Sequence, residues 1–442
     1  MADYPDGFLW GVATSALQVE GVRGREPSVW DTFAARPGAI ADGSTPAIAC
    51  DSVTRIEDDL ALLGDLGATA YRFSVSWPRV EASGLGYYDR LVDGLLARGV
   101  APMATLFHWD TPQHVEDEGG WRSSATASLF AEYAGAVAAH LGDRVTHWVT
   151  INEPREVTML GHALGVHAPG HHLGFDALPV AHELLRAHGL ATRAIRAATV
   201  AGSAAIGLAL SHSPVTAATD DEADRQAADL FDLLNHRLFA DPILLGGYPA
   251  EIAELMPTTD LDAVAEPIDF LGLNYYNPTR VAAPGSEAAT STIDGVDVGG
   301  VGDALPFAFV PVEAPVTDLG WPIVPRGLAD QLRILRERYP GALPPLIITE
   351  NGAALADDRR RIAFLEDHLG ALREAIAAGA DVRGYLHWSL LDNWEWAEGF
   401  GPRFGLVAVD PLTQERTPKP SFAWLRDHIA AAVALRGRPP AP

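Results

Sequence analysis

The chain has 442 residues, 48% of them hydrophobic and 20% charged, with a formal net charge of −26. This composition belongs to a globular chain with ample core material, and its acidity argues against nucleic acid or an anionic membrane surface as a partner, since both need clustered Lys and Arg. Cys50 is the single cysteine and Lys419 the single lysine, so an intrachain disulfide and a thiolate metal cluster are excluded.

The opening stretch, "MADYPDGFLWGVATSALQVEG", shows no basic segment followed by an apolar one, so no signal peptide is expected. No apolar run approaches the roughly 20 residues of a membrane span. The expectation is a cytoplasmic protein.

Short β-rich runs then alternate with helix-period stretches. The first run is "FLWGVAT" (8–14). Next comes "RIEDDLALLGDLG", with Ile56, Leu60, Leu63 and Leu66 on one face and Gly67 as a C-cap. Six more runs follow: "AYRFSVS" (70–76), "VAPMATLF" (100–107), "VTHWVTI" (145–151), "AAIGLAL" (204–210), "DFLGLNYY" (269–276) and "PLIITE" (345–350). A helix over "RIAFLEDHLGALREAIAAG", stopping at Gly379, leads to the eighth run, "VRGYLHWSL" (382–390). Near-continuous apolar strands imply a parallel sheet covered on both faces. Eight strand–helix units predict a single-domain α/β fold over 1–442, a (β/α)8 TIM barrel with elaborated βα loops. A doubly wound open sheet is the rival, but no GxGxxG or P-loop follows the first strand. The least regular stretch, 281–320, is expected to be a loop bordering the pocket.

In such a barrel the chemistry sits where strands end. Those positions hold Gln18, His108 and Trp109, Asn152 and Glu153, Asn274 and Tyr276, Glu350, Trp388, and then Glu395 and Trp396. Arg72 lies within the second strand. Each has an ordinary explanation taken alone: a strand-end glutamate caps a helix, a strand arginine pairs with a structural carboxylate, a tryptophan packs in the core. The set is more telling. Two carboxylates stand on strands four and seven among hydroxyl-binding Gln, His, Asn and Tyr and sugar-stacking Trp. Glycoside hydrolysis needs one protonated carboxyl to serve the leaving oxygen and one ionised carboxylate facing the anomeric carbon. Arg72 is expected to hold one ionised, and Trp148 or Trp109 to desolvate the other.

Metal chemistry finds little support. "HAPGHH" (167–172) clusters three histidines, and "AHELLRAH" (181–188) has Arg186 where a zinc-binding helix needs a second histidine. No GxSxG occurs.

The chain resembles glycoside hydrolase family 1, the retaining β-glucosidase type. The motifs that carry this are "WDTFA" (30–34), "YRFSVSWPR" (71–79), "LFHWDTPQ" (106–113), "TINEP" (150–154), "GVHAPG" (165–170), "LGLNYY" (271–276), "ITENG" and "WSLLDNWEWAEGFGPRFGLVAVD" (388–410). The resemblance implies that Glu153 is the general acid/base and Glu350 the nucleophile of a double displacement. It implies that Gln18, His108, Trp109, Asn152, Glu395 and Trp396 bind the glycone, that Trp388 is its stacking floor, and that Phe404 closes the pocket. Tyr276 and Arg72 would orient and ionise the nucleophile, with Asn274 in support. Glu395 implies a substrate without a 6-phosphate.

The expected partner is a small-molecule β-glycoside, a glucoside with galactosides and fucosides beside it. No cofactor, metal, nucleic acid or membrane is expected, and the sequence carries no signal of oligomeric state. A sugar-binding protein with lost catalysis and a transglycosylase are the alternatives. The sequence departs from the family at Arg155 after "NEP", at the short "VEASGLG" (80–86) and "AALADDRRR" (353–361), and at Pro402. These alter the rim and predict a more open aglycone site. Arg155 is the awkward one, because a cation beside Glu153 would strip its proton.

Overall fold

Eight runs of β-formers pair side by side and close on themselves. In the computed structural model, which describes residues 4–290, 292–293, 296–297 and 305–435, the barrel strands are β1 (Leu9–Ala13), β2 (Ala70–Ser74), β3 (Ala101–Phe107), β4 (His147–Asn152), β5 (Ala205–Ser211), β6 (Phe270–Asn274), β7 (Leu346–Asn351) and β8 (Val382–Trp388). Each lies parallel to its sequence neighbours, and β8 closes onto β1, with Ala13 opposite Trp388. The (β/α)8 barrel expected from the sequence is the fold.

A helix follows each strand: α1 (Ile56–Leu66), α2 (Gly86–Leu96), α3 (Thr126–Leu141), α4 (Leu178–Ala198), α5 (Glu222–Asp232), α6 (Pro325–Arg338), α7 (Asp358–Ala377) and α8 (Pro420–Leu435). Local chemistry sets their ends. Glu57, Asp58 and Asp59 occupy the first turn of α1, where the helix dipole favours negative charge, and Gly67 ends it at φ 68°. The Asp357 side chain accepts the Arg359 amide and so caps α7.

Two cores result. The larger lies between strands and helices and includes Trp148, which faces the helices and not the pocket. Trp148 therefore does not flank Glu153 as its sequence position suggested. The smaller core fills the barrel with one side chain per strand: Ala13, Ala70, Met103, Val149, Ala209, Phe270, Ile347 and Leu386. Trp388 and Phe404 join this plug.

Two strands lose regular register near their C-terminal ends. The shifts fall between Val149 and Asn152 in β4, and between Ile348 and Glu350 in β7. Such irregularities re-aim side chains, and here they precede the two conspicuous glutamates. Gly352 follows β7 because nothing larger fits: a Cβ there would lie 1.8 Å from the Trp388 carbonyl oxygen. Within 281–320, residues Ala308–Phe309 pair with Thr279–Ala282, which pairs with Val215–Ala217, and Leu319 lines the cavity. Residues 291, 294–295 and 298–304 of that stretch lie outside the described residues.

Candidate active site

A cavity of ≈ 130 Å³ is lined by Glu153 and Glu350 together with His108, Trp109, Asn274, Tyr276, Trp388, Glu395, Trp396 and Phe404. All stand at or just past the C-terminal ends of barrel strands. Three of them, Trp109 (φ 71°), Glu153 (φ 45°) and Trp396 (φ 53°), hold left-handed backbone conformations without being glycine. That costs free energy and persists only where surroundings enforce it, commonly at sites of function.

The two carboxylates have different neighbours. Glu350 Oε1 receives a hydrogen bond from Arg72 Nη1 at 2.6 Å, and its Oε2 receives one from the Tyr276 hydroxyl at 2.5 Å. The Glu153 carboxylate takes its hydrogen bond from a neutral amide. It accepts from Asn274 Nδ2 at 2.7 Å. Burial raises both carboxyls, but the opposing forces differ. On Glu350, the Arg72 charge and the Tyr276 and Arg72 hydrogen bonds work against burial. On Glu153, the charges of Glu350 and Glu156 add to burial and lift it well above the ordinary range. The single proton of the pair therefore resides on Glu153. Asn274 Nδ2 also donates to Asn152 Oδ1 at 3.1 Å, and its Oδ1 accepts from Thr349 Oγ1 at 2.6 Å. Asn274 thus holds Glu153 directly and favours the ionised form of Glu350.

Arg72, Asn152 and Gln18 do not line the cavity but sit buried behind it. Arg72 also donates to Asn152 Oδ1 at 2.6 Å and Thr105 Oγ1 at 3.0 Å. Asn152 Oδ1 accepts from Arg72 and from Asn274, so its amide nitrogen must be the donor to His108 Nε2 at 3.1 Å. The His108 proton then sits on Nδ1, an atom with no hydrogen-bond partner among the described residues. Burial holds His108 far below its usual range, so it is a neutral donor. Its ring stacks between Trp388 and Trp396, 5.9 Å from each.

Gln18 Nε2 donates to Asn393 Oδ1, the Trp394 carbonyl and Glu395 Oε2, and its Oε1 accepts from Ser15. It orients Glu395 from behind. Burial pushes the Glu395 carboxyl up to about 8, with the neighbouring Trp388 and Gln18 side chains acting against it. At neutral pH it is mostly a carboxylic acid, able both to donate to a hydroxyl and to accept from one. Trp109 lies 4.5 Å from Trp396, and its Nε1 donates to the Asn152 carbonyl. Phe404 and Trp321 both pack against the edge of Tyr276.

Arg155 is engaged by Glu156 and Asn235. Its Nη1 meets Glu156 Oε1 at 2.7 Å and its Nε meets Asn235 Oδ1 at 2.8 Å. The structure adds cavity residues that sequence reasoning missed, chiefly Trp321, His212, His236 and Glu398. Trp321 lies in the irregular 281–320 stretch's immediate continuation, and His212 one residue past β5; strand-end position was the available signal for the latter. The histidines of "AHELLRAH" go elsewhere: His182 bonds Tyr248 and His188 bonds Thr150 Oγ1 at 2.6 Å, both as packed residues of α4. No helix among the described residues is long and apolar enough to cross a membrane.

Comparison with known proteins agrees with this geometry. The model of glycosyl hydrolase family 1 matches residues 1–433. A thermostable beta-glucosidase B from Thermobispora bispora is 43% identical over 96% of this chain and 90% of its own length. A bifunctional beta-D-glucosidase/beta-D-fucosidase from Bifidobacterium breve is 41% identical over 97% of this chain and 98% of its own. Among solved structures, a psychrophilic beta-glucosidase from Micrococcus antarcticus superposes with a TM-score of 0.89 at 40% identity, covering 98% of each chain. A beta-glucosidase from Thermotoga maritima in complex with glucoimidazole gives 0.89 at 37% identity, covering 98% of this chain and all of that one.

Proposed function

The chain belongs to glycosyl hydrolase family 1, and from that premise we propose that it is a retaining β-glucosidase acting on terminal non-reducing β-D-glucosyl residues. β-Fucosides and β-galactosides are proposed as secondary substrates; the bifunctional relative supports the former.

The observation that carries this reading is the asymmetry of two carboxylates in one cavity. Glu350, held by Arg72 and Tyr276, is the nucleophile; Glu153, bonded to the Asn274 amide and raised by burial and by the charges of Glu350 and Glu156, is the acid. Glu350 attacks the anomeric carbon while Glu153 gives its proton to the glycosidic oxygen, and the aglycone leaves as an alcohol. Glu153, now a carboxylate, takes a proton from water as that water displaces Glu350 from the sugar. The starting protonation state is restored. Glu153 and Glu350 are linked through Asn274, Asn152 and Arg72, and with one carboxylate acting as nucleophile the outcome is retention.

Around the sugar, His108 Nδ1 and the Glu395 carboxyl are the proposed hydroxyl partners, with Asn152 and Gln18 positioning them. Trp388 and Trp396 offer ring faces, and Trp109 and Phe404 close the sides. Arg155 is the sole arginine or lysine among the described residues lining the cavity, and Glu156 engages it. A 6-phosphate would find no free cation there, which supports a non-phosphorylated substrate. The continuous core from Phe8 to Ile429 supports one catalytic domain, and the free, buried Cys50 is in keeping with a reducing, cytoplasmic setting.

The test is turnover of a panel of nitrophenyl β-glycosides, with the anomer of the released sugar followed by NMR, for wild type and Glu350→Ala. Release of β-glucose by wild type and none by the variant is the expected result. Release of the α-anomer, or an inactive wild type that still binds glucose, would sink the proposal.

A further inference from the structure

Beside the cavity, but not lining it, three side chains from two loops converge. Glu116 lies in the short helix Gln113–Asp117 after β3, His162 in the helical segment Glu156–Ala163 after β4, and His171 in the loop beyond it. The loop folds back on that segment through two backbone hydrogen bonds, His171 N–H to the Gly161 carbonyl at 3.0 Å and Leu173 N–H to the His162 carbonyl at 2.9 Å. One nitrogen of each imidazole and one carboxylate oxygen lie within 4.8 Å of one another.

Two buried atoms in this group have no hydrogen-bond partner among the described residues: His162 Nε2 and Glu116 Oε2. The His162 side chain is fully buried. Its Nδ1 lies 2.8 Å from the Val157 carbonyl, which can only accept. The ring proton is therefore on Nδ1, and Nε2 presents a bare lone pair. A backbone carbonyl fixing the outer nitrogen of a histidine is the usual support of a metal ligand. Burial pushes His162 down to about 4, so the ring is neutral at pH 7. Glu116 Oε2 occupies space that only a glycine leaves open: a Cβ on Gly120 would lie 1.9 Å from it. Glu116 Oε1 is already engaged, by Arg122 at 3.1 Å and His171 Nε2 at 2.7 Å.

An unpaired imidazole nitrogen and an unpaired carboxylate oxygen, both buried in a cluster with a half-buried second histidine, are costly as they stand. We propose that Glu116, His162 and His171 bind one zinc ion, which clamps the loop after β3 to the loops after β4. Two imidazoles and one carboxylate suit Zn²⁺, with a water in the fourth position on the solvent side. The ion takes the place of the proton between His171 Nε2 and Glu116; that proton passes to solvent while His171 keeps or gains one on Nδ1. The same two loops carry Trp109 and Glu153, so the ion braces the rim of the active site without entering the chemistry.

The test begins with full-length protein freed of metal by a chelator and dialysed. Zinc sulfate is titrated calorimetrically, and cobalt chloride is followed by visible absorption. Expected are one strong site, visible cobalt bands of four-coordinate intensity, and a thermal midpoint that rises with zinc. His171→Ala and Glu116→Gln, chosen because one residue is half-exposed and the other substitution is isosteric, should weaken binding by roughly 10–100-fold or more. Both should abolish the cobalt bands and the zinc-dependent rise, while the metal-free proteins keep wild-type turnover of nitrophenyl β-glucoside. Absence of a strong site in wild type overturns the proposal. So does zinc binding that survives both substitutions, which would belong to other histidines.

Discussion

Arg155 is paired with Glu156, its neighbour in sequence, at 2.7 Å. The pair decides what Glu153 feels. Glu156 is among the charges that raise Glu153, and Arg155 is bonded to Glu156 and to Asn235. Glu156→Gln removes that negative charge and leaves Arg155 less compensated, and both changes favour an ionised Glu153. The acid must be protonated, so the alkaline limb of the kcat/KM profile should move to lower pH. A limb that stays in place or moves up would show that Glu153 does not set it.

The acidic limb belongs to Glu350. Tyr276→Phe removes a 2.5 Å hydrogen bond to its ionised form, so its proton is held more tightly and the acidic limb should move to higher pH. Loss of one hydrogen bond to a charged group should also lower kcat by roughly 10–100-fold. A pH–rate series on nitrophenyl β-glucoside reads both effects.

Glu153→Ala should separate substrates by leaving group. Alkyl glucosides, which cannot depart without a proton, should slow by about 10²–10⁴-fold. Glycosylation by dinitrophenyl glucoside, a good leaving group, should slow far less. Added azide should restore turnover of the activated substrate by giving a β-glycosyl azide. Equal losses on both substrates would remove Glu153 from the acid role.

Gly352→Ala tests the packing beneath the nucleophile. Its new methyl group would meet the Trp388 carbonyl at 1.8 Å, so β7 and β8 must part at the point where Glu350 and Trp388 are set. Denaturant unfolding should show a loss of about 1–3 kcal/mol, accompanied by a fall in kcat. An unchanged midpoint would mean the strand ends yield freely.

Much of this was legible in the sequence because barrel strands are apolar on both faces and end in turn residues. All eight strands lie within the β-rich runs or one residue past them. The carboxylates were legible because a charge ending an apolar strand is out of place unless it faces a cavity. Side-chain direction was not. Trp148 stands on the same strand as Asn152 yet faces the helices. Gln18 was expected at the sugar, and nothing in the sequence foretold that its amide would bond Asn393, Trp394 and Glu395. "DDRRR" resembles a solvated charge run, yet Arg361 is fully buried. It donates to the carbonyls of Ala353, Leu355, Arg403 and Phe404 and so ties the loop after β7 to the loop after β8. Nothing in a run of three arginines says which one turns inward. Trp321 was missed because it follows an irregular stretch whose path depends on contacts far away in sequence.

The plug of eight side chains that fills the barrel has a consequence for traffic. It makes the cavity a blind alley. Substrate and product must pass through the mouth at the C-terminal ends of the strands. Whatever lies outermost must also depart first. On the proposed reading the aglycone leaves while the glycosyl group stays bound to Glu350, and water or a competing alcohol arrives by the same mouth.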